Sequence, residues 1–386
     1  MTADAPPSTT ASVLGQAAFL ACSWTWCIGM WLPVYLIHDF GAAGWIAFAI
    51  PNVVGAAAVG FVHRAPGAAA RFRARGLTPM RWFSAWTVLF HVAFLAWLFA
   101  SDVTRPVFVP APAALLVPLL ALGAGLALSG LGSRSWRTIA LALVPVAPLL
   151  ILAALRFSGA GSVETPESTG VVTTPWALTF YTVGLAFGFL LCPHLDLTFM
   201  RVREETPSPA GEAAFALGFG AFFLMMIVIT AGYAAAYLLG VMSSYVYLHI
   251  LLQATFTIGV HLRELRDHGW PLGRTGAWGF WIAAVALAAS GSVVAGAPDV
   301  LGHASTRFAY EIFLFAYALP FPAAAWFLLT HPRRERLGAA FWLAVVAGTP
   351  TVAAAAWFGE YWAVPLGVAI PLVVGALAPA APARAG

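Results

Sequence analysis

Residues 19–41 read FLACSWTWCIGMWLPVYLIHDFG, an apolar run interrupted by polar and helix-breaking residues. A membrane-spanning helix needs about 20 predominantly apolar residues, so the run is long enough to cross a bilayer. Pro33 removes a backbone donor and clashes with the preceding turn, and Gly29 weakens the helix nearby. Irregular backbone at membrane depth survives only where protein or a water-filled cavity satisfies it. The stretch therefore predicts a broken helix beside a cavity.

The composition of the whole chain predicts a polytopic α-helical membrane protein. Of its 386 residues, 61% are hydrophobic and 9% are charged, whereas soluble domains carry about 25% charged residues. Clustered basic residues of the kind that bind nucleic acid are absent from the sequence, and the bilayer is the predicted environment. The predicted spans are 12–37, 42–63, 82–100, 112–132, 136–156, 175–198, 213–240, 243–264, 276–297, 308–330, 337–357 and 361–380.

The distribution of arginine predicts how the chain is threaded. All 19 basic residues are Arg, and cytoplasmic loops carry the excess of basic residues. With the N-terminus inside, 16 Arg fall in inside segments, and three, Arg105, Arg156 and Arg307, fall outside. We therefore expect both termini in the cytoplasm, and we expect the membrane to be a bacterial inner (plasma) membrane.

A second interrupted span lies 160 residues after the first. Residues 181–201 read YTVGLAFGFLLCPHLDLTFMR, in which Gly184 and Gly188 precede Pro193, and the polar residues His194 and Asp196 follow. Paired, interrupted helices at matching positions of two halves are typical of secondary transporters. The two segments therefore predict a solute site where the first and sixth spans meet.

Each interrupted span begins a block of five predicted helices. Because five is odd, the second block must be inverted in the membrane relative to the first. The predicted organisation is a cytoplasmic tail at 1–11, a first repeat at 12–156, an inverted repeat at 175–330, two accessory helices at 337–380 and a cytoplasmic tail at 381–386. The segments 64–81 and 157–174 are predicted connectors.

Two stretches resemble the sodium/solute symporter family, whose members share the LeuT-type fold of 5+5 inverted repeats. Trp26–Phe61, WCIGMWLPVYLIHDFGAAGWIAFAIPNVVGAAAVGF, is similar to the family's first core helix, a short turn and the Gly-Trp-Ile opening of the second. Gly188–Arg201, GFLLCPHLDLTFMR, is similar to the Gly-Gln-Pro-His…Arg-Phe-Met run that ends the sixth core helix of proline-type members. The resemblance implies a transporter fold.

The resemblance also implies binding residues. In the family, backbone carbonyls of the broken first helix and hydroxyls of the eighth hold sodium, and these positions correspond to Ala21 and Trp24, with Ser243 and Ser244 as the available hydroxyls. The implied solute contacts are Thr25, Cys27, Leu185, Phe189, Cys192 and Pro193.

The sequence also departs from the proline-type pattern. Ser23 stands where these members have Asp, and Cys192 stands where they have Gln. The sequence therefore leaves both sodium coupling and the identity of the solute open.

Ionisable and polar residues inside spans are candidates for function because they are costly in lipid. His194, Asp196 and Gly29 belong to the interrupted spans and are predicted to face the solute. In the eighth span Gln253, Thr257 and neighbouring His249, Thr255 and His261 are polar, and the i, i+4 spacing of 253, 257 and 261 places them on one face. His91 is interpreted as a helix-to-helix contact. Asp39 and Glu311 are interpreted as loop-edge or interfacial residues.

The sequence predicts a secondary transporter that moves a small solute, with sodium as the possible coupling ion and an open oligomeric state. Two alternatives remain. Imidazole suits haem iron and copper, so some of the nine histidines could serve a membrane redox protein, although no metal-spaced pair is visible. The chain could also be a non-transporting sensor or structural relative of the symporters. Because nucleophile-elbow, P-loop and H-E-x-x-H motifs are absent from the sequence, no enzyme activity is expected.

Overall fold

The computed structural model describes residues 10–100, 115–157, 170–174, 176–238, 242–301, 303–332 and 337–378. These residues form fifteen α-helices. They are α1 Thr10–Trp24, α2 Cys27–Val62, α3 Ala68–Ala100, α4 Leu116–Leu128, α5 Ser133–Phe157, α6 Ala177–Leu191, α7 Leu197–Glu205, α8 Ala210–Leu217, α9 Leu224–Leu238, α10 Ser244–His268, α11 Gly273–Ala295, α12 Ser305–Ala318, α13 Pro320–Thr330, α14 Ala339–Phe358 and α15 Ala363–Leu377.

Most of these helices have the length and composition of membrane spans. Nine helical runs within the described residues are long and apolar enough to cross a bilayer, and Leu116–Leu128 and Ala363–Leu377 are shorter apolar helices. The prediction of an integral, all-helical membrane protein is confirmed. The count of twelve spans and the division into two repeats stay predictions. The predicted tails at 1–11 and 381–386 lie outside the described residues, apart from residues 10 and 11.

The break in the first span lies inside the stretch that predicts it, a few residues before Gly29 and Pro33. Helix α1 ends at Trp24 and α2 begins at Cys27, with Trp26 in an extended conformation (φ −87°, ψ 173°). Gly29 and Pro33 both lie inside α2. A hydrogen bond to a distant helix, from the Cys27 N–H to His91 of α3, stabilises the backbone next to the break.

Helix α2 joins the second half of the first span directly to the second span. It runs for 36 residues and bends at Gly41, whose φ of 65° suits glycine because it lacks a Cβ. Next to the bend, the backbone N–H groups of Val171 and Val172 donate to the carbonyls of His38 (3.0 Å) and Asp39 (2.9 Å). The segment before α6 is therefore fastened to the bend.

The third span begins earlier than predicted. Residues 64–81 were predicted to be a connector, but α3 starts at Ala68 and runs for 33 residues. Its first turns carry Arg71, Arg73 and Arg75. Arginine favours helix about as well as leucine does, whereas a hydropathy pattern detects only the apolar part of a helix that continues beyond the lipid. Most of the other predicted connector, 157–174, lies outside the described residues.

The break in the sixth span lies at the predicted proline. Helix α6 ends at Leu191, residues Cys192–Leu195 form one 3₁₀ turn that contains Pro193, and Asp196 is extended. The Asp196 carboxylate accepts from the backbone N–H of Thr198 at 2.7 Å and so caps α7. This break is built almost entirely from its own residues.

The helices pack so that each broken span contacts both halves of the chain. Helix α1 packs against α5, α8 and the π-helical turn Gly218–Phe223, and α2 packs against α6 and α9. Helix α3 packs against α10 and α11, while α14 and α15 pack on each other and on α13. The core between them is rich in aromatic side chains.

Candidate functional site

The two helix breaks lie against each other. The rings of Trp24 and Phe199 are 5.1 Å apart between centroids. The Thr198 hydroxyl donates to the Ser23 hydroxyl at 3.4 Å. The structure thus brings together the two interrupted segments, which are more than 170 residues apart in the chain.

His91 of α3 stabilises the start of α2. Its Nε2 accepts from the backbone N–H of Cys27 at 3.1 Å, and its Nδ1 is 2.7 Å from the Thr87 carbonyl. Since a carbonyl only accepts, Nδ1 carries the proton and the ring is neutral in this arrangement. The first N–H groups of a helix have no acceptor inside that helix. His91, 64 residues away in the sequence, supplies the acceptor for the first N–H of α2.

The indole of Trp26 fills the space next to the break. Its ring lies 5.2 Å from Phe83, 5.3 Å from His261 and 5.7 Å from Tyr317 between centroids. Trp26 is 2% exposed. The indole is therefore enclosed between α3, α10 and α12.

A cavity of about 150 Å³ lies on the other side of the breaks. Helices α2, α6, α12, α14 and α15 form its walls, and it extends from Trp24, Trp26 and Cys192 to Asp39 and Arg307. Of the predicted solute contacts, Gly29, Leu185, Phe189 and Cys192 lie on its wall. Asn52 also lies there, and its side-chain oxygen accepts from Trp24 Nε1 at 2.6 Å.

Sequence reasoning missed the accessory helices as part of this cavity. Val352 and Ala355 of α14 and Val364 and Val368 of α15 line it. These residues are apolar and resemble any lipid-facing residue in the sequence. Nothing in their spacing marks them, so only tertiary packing shows their position.

A cluster of three charges lines one end of the cavity, and we call it the Asp39 cluster. Arg307 donates to both carboxylate oxygens of Asp39 (3.0 and 2.6 Å) and to Glu311 (2.9 Å). Its guanidinium also lies 5.1 Å from the centre of the Tyr35 ring, a cation–π contact. The sequence placed Asp39 at a loop edge and Glu311 at the interface. The fold joins the end of the first span to the tenth, so Arg307 pairs with both.

A second set of ion pairs lies at the other end of the molecule, which we call the Arg-rich end. Arg73 pairs with Glu204 (2.7 and 2.9 Å), and Arg201 pairs with Glu264 (2.6 and 2.9 Å) and Asp267 (2.8 Å).

The two clusters lie at opposite ends of α3. Phe94 of α3 contacts Tyr310, which neighbours Glu311 in the chain. Arg73 and Phe94 are 21 residues apart, so about 30 Å of helix separates the clusters.

Several predicted solute residues lie away from the cavity. Thr25 donates to the Ala21 carbonyl (2.8 Å) and contacts the sulfur of Met226 (2.9 Å). Cys27 and Pro193 are part of the breaks, and Asp196 caps α7. Gln253 and Thr257 lie on α10, which does not contribute to the cavity wall within the described residues.

His194 pairs with another histidine. Its Nδ1 is 3.0 Å from His63 Nε2, and both residues are buried. The sequence contains no spacing that marks this pair, because His63 follows the second span and His194 belongs to the sixth. Within the described residues, groups of three or more metal-capable side chains are not found.

The structure does not bring the four predicted sodium ligands together. Ser243 and Ser244 lie at the start of α10, where Ser243 accepts from the N–H of Tyr245. Helix α10 meets α1 at Phe256, whose ring is 6.0 Å from Phe19. Twelve residues of helix span about 18 Å, so these hydroxyls are far from Ala21 and Trp24.

The two carbonyls are also engaged. The Ala21 carbonyl accepts from both the N–H and the hydroxyl of Thr25, and the Trp24 carbonyl accepts from the N–H of Trp26 (2.8 Å). A carbonyl oxygen has two lone pairs, so Ala21 has neither free.

A polar stripe follows one face of α10, formed by His249, Gln253, Thr257 and His261. Each is at most 2% exposed. Each has a side-chain atom without a hydrogen-bond partner among the described residues: His249 Nε2, Gln253 Oε1, Thr257 Oγ1 and His261 Nε2. An unsatisfied buried polar group costs about 1–3 kcal/mol, so four along one helix are unusual.

No protein-family model matches this sequence, and none of the curated proteins matches it. Among solved structures, Mhp1, a nucleobase-cation-symport-1 family transporter in a closed conformation with bromovinylhydantoin bound, is 14% identical. The match covers 94% of this chain and 91% of Mhp1, with a TM-score of 0.51. The chain has the LeuT-type transporter fold.

Two further matches have lower TM-scores. The inward-facing conformation of Mhp1 is 15% identical over 93% of this chain and 89% of that one, with a TM-score of 0.49. A manganese transporter from Eremococcus coleocola, in complex with an aromatic bis-isothiourea substituted compound, is 14% identical over 97% and 88%, with a TM-score of 0.33. Identities this low concern the fold alone, and the resemblance to the sodium/solute symporter family stays a prediction.

Proposed function

We propose that the protein is a secondary transporter that moves a small solute across the membrane by alternating access. One observation carries this proposal: the cavity touches both helix breaks and ends at the Asp39 cluster. Interrupted helices place free backbone groups and helix ends at a solute site near the middle of the bilayer. A cavity that begins there and ends beneath a separable ion cluster suits a solute path.

The two charged ends support alternating access. Asp39 and Arg307 join α2 to α12, whereas Arg73 and Glu204 join α3 to α7. Arg201 and Glu264 join α7 to α10. Ion pairs between different helices can separate at one end while they hold at the other, which is what one-sided access requires. By the arginine distribution, the Arg-rich end is the cytoplasmic one.

The cavity favours an amphipathic solute with one ring. A cavity of about 150 Å³ in a protein core is large enough for benzene. The aromatic wall of Trp24, Trp26 and Phe189 suits a flat apolar body, and Asn52 supplies a polar group at the same depth. The hydantoin bound to Mhp1 is a ring compound of this kind, so hydantoins and related cyclic amides belong in a solute screen.

Sodium coupling receives no support from the geometry of Ala21, Trp24, Ser243 and Ser244. Sodium therefore stays a prediction that the same screen tests.

The test is a thermal-shift screen of purified protein across small cyclic solutes, with and without sodium. A ligand at 100 times its Kd stabilises the folded state by about 2.7 kcal/mol, so binding raises the apparent Tm. Leu185→Trp fills the cavity and should abolish the shift. Leu190→Trp is the matched control, because Leu190 is on the same helix but 39% exposed, whereas Leu185 is 7% exposed.

Uptake into proteoliposomes then separates transport from sensing. Uptake of the stabilising solute supports the proposal. Binding without uptake would favour a non-transporting sensor. The enclosed Trp26 indole is the observation that favours this alternative, because it fills the space on the other side of the breaks. If no solute shifts the Tm, or if Leu185→Trp leaves the shift intact, the cavity is not a solute site.

A further inference from the structure

We propose that the polar stripe of α10 is a proton path, and that the coupling ion is a proton. This inference rests on the proposed transporter function. The residues of the stripe are buried and do not line the solute cavity. Its four residues follow each other at intervals of four, so their side chains point along one face of the helix.

The spacing of the stripe suits a chain of hydrogen bonds through water. Cβ atoms at i and i+4 are about 5–6 Å apart, and two hydrogen bonds of about 2.8 Å span that distance. One water between each pair would therefore satisfy the partnerless atoms of His249, Gln253, Thr257 and His261. Such a line alternates side chains and water.

The residue types favour a proton over a metal cation. Two of the four side chains are imidazoles, whose two ring nitrogens can accept a proton on one side and donate one on the other. Sodium is a hard cation that prefers oxygen ligands, and the stripe offers only one amide oxygen and one hydroxyl. When a neutral imidazole accepts a proton on one ring nitrogen and releases one from the other, one proton moves and no electrons are exchanged.

The path continues to the Arg-rich end. Glu264 follows His261 on the same helix, and its carboxylate lies 3.3 Å from His268 Nε2. From His249 to His268 the helix rises about 29 Å, close to the roughly 30 Å of the hydrocarbon core. The stripe with its terminal Glu264–His268 pair therefore extends over most of the membrane.

Among the described residues, the groups next to the stripe are uncharged, and charged groups lie only at its Arg-rich end. A proton on the stripe therefore has no buried carboxylate beside it that would hold it there. The rings of His91 of α3 and His261 both contact Trp26, and the neutral His91 ring is held by Thr87 and Cys27. Cys22 of α1 faces Gln253, and Ser84 of α3 is 3.2 Å from His261 Nδ1.

The charged groups lie at the Arg-rich end of the path. Arg201 of α7 pairs with Glu264 and Asp267, and Arg81 of α3 donates to the His268 carbonyl. Asp196, the N-cap residue of α7, precedes Arg201 in the chain.

The experiment measures proton flux into proteoliposomes that contain a trapped pH-sensitive dye. A potassium gradient with valinomycin drives the flux in sodium-free choline buffer, both without solute and with any solute that raises the Tm. Wild-type protein should acidify the lumen several-fold faster than protein-free liposomes. His261→Gln should reduce the protein-dependent rate at least fivefold, and Thr257→Val should reduce it by a smaller factor.

The controls are a buried histidine and a buried threonine elsewhere in the membrane. His331→Gln changes a ring that contacts the Ala378 carbonyl (3.0 Å). Thr230→Val changes a hydroxyl that donates to its own helix at Ile227 (2.6 Å). Both should retain wild-type flux. Because Thr257→Val keeps the shape of the side chain, it tests the path even where His261→Gln folds poorly.

The outcomes separate this inference from the proposed function. Wild-type flux equal to that of empty liposomes, or full flux in both stripe variants, would overturn the proton path. If the solute-dependent Tm shift persists in that case, the transporter proposal survives alone. Proton flux without any stabilising solute would leave the path standing and remove the solute transporter.

Discussion

The two helix breaks have different structural causes. The break at Thr25–Trp26 depends on residues far away in the chain: His91 accepts from Cys27, and Phe83, His261 and Tyr317 surround Trp26. The break at Cys192–Asp196 contains its own proline and its own cap. A break held by tertiary contacts can respond to events elsewhere, whereas a locally encoded break persists as a fixed joint.

The largest expected effect comes from removing the indole that packs against the first helix break. Trp26→Ala should lower the free energy of unfolding by about 3–5 kcal/mol, because large aromatic truncations leave a cavity. Trp278→Ala, at a residue that is 67% exposed, should have little effect. Thermal unfolding of both variants measures the difference, and added indole should restore part of the Trp26→Ala loss. Equal stability of the two variants would contradict the enclosed position of Trp26.

The second prediction concerns the histidine that stabilises the first break. His91→Leu leaves the N–H of Cys27 unsatisfied in the core and should cost about 1–3 kcal/mol. His91→Gln keeps an acceptor and should lose less. Chemical or thermal unfolding compares the two. A Gln variant as unstable as the Leu variant would show that ring packing, rather than the hydrogen bond, matters.

Substitutions at the second break should lower the free energy of unfolding less than substitutions at the first. Asp196→Ala removes the cap of α7 and should cost about 1 kcal/mol, while Asp196→Asn keeps a side-chain oxygen and should cost less. The same unfolding assay ranks these variants against His91→Leu. A loss from Asp196→Ala larger than that from His91→Leu would reverse the proposed difference between the breaks.

The Asp39 cluster should show a change in stability as small as that at the second break. Asp39→Asn should alter stability by about 1 kcal/mol, because asparagine keeps one acceptor oxygen for Arg307 and Arg307 keeps its pair with Glu311. The substitution should also make the cavity more accessible from outside. Cys192 lines the cavity and is 2% exposed, so the Cys192 thiol should react faster with a membrane-impermeant thiol reagent in the variant. Cys22→Ser and Cys27→Ser in the background isolate this thiol. An unchanged rate would mean that the cluster does not close the cavity.

The same difference explains what the sequence could predict. Pro193 marks its break by itself, so the sequence located it. The sequence predicted the first break only within a longer stretch, because His91, which stabilises it, is 64 residues away from Cys27 and looks like any buried histidine. The cluster of Asp39 and Arg307 joins residues 268 apart. Their opposite charges at matching span ends were a signal, but only the fold shows that these ends meet.

The cavity shows the same limit. Gly29 was predicted from its place in the first interrupted span, whereas Leu185, Phe189 and Cys192 were implied by the resemblance to the symporter family. All four line the cavity. A further part of the wall comes from α14 and α15, whose apolar residues carry no signature. Composition and helix breaks therefore predict which helices matter most, while the outline of the cavity depends on packing.

The bend at Gly41 has a mechanical consequence. Because α2 passes from the first span to the second without a loop, the parts of α2 before and after Gly41 move about one bend. The N–H groups of Val171 and Val172, bound to the carbonyls of His38 and Asp39, hold the start of the sixth span at the same bend. A tilt of the part of α2 before Gly41 must therefore move the second span and the start of the sixth span with it, and a side chain at residue 41 would hinder the bend.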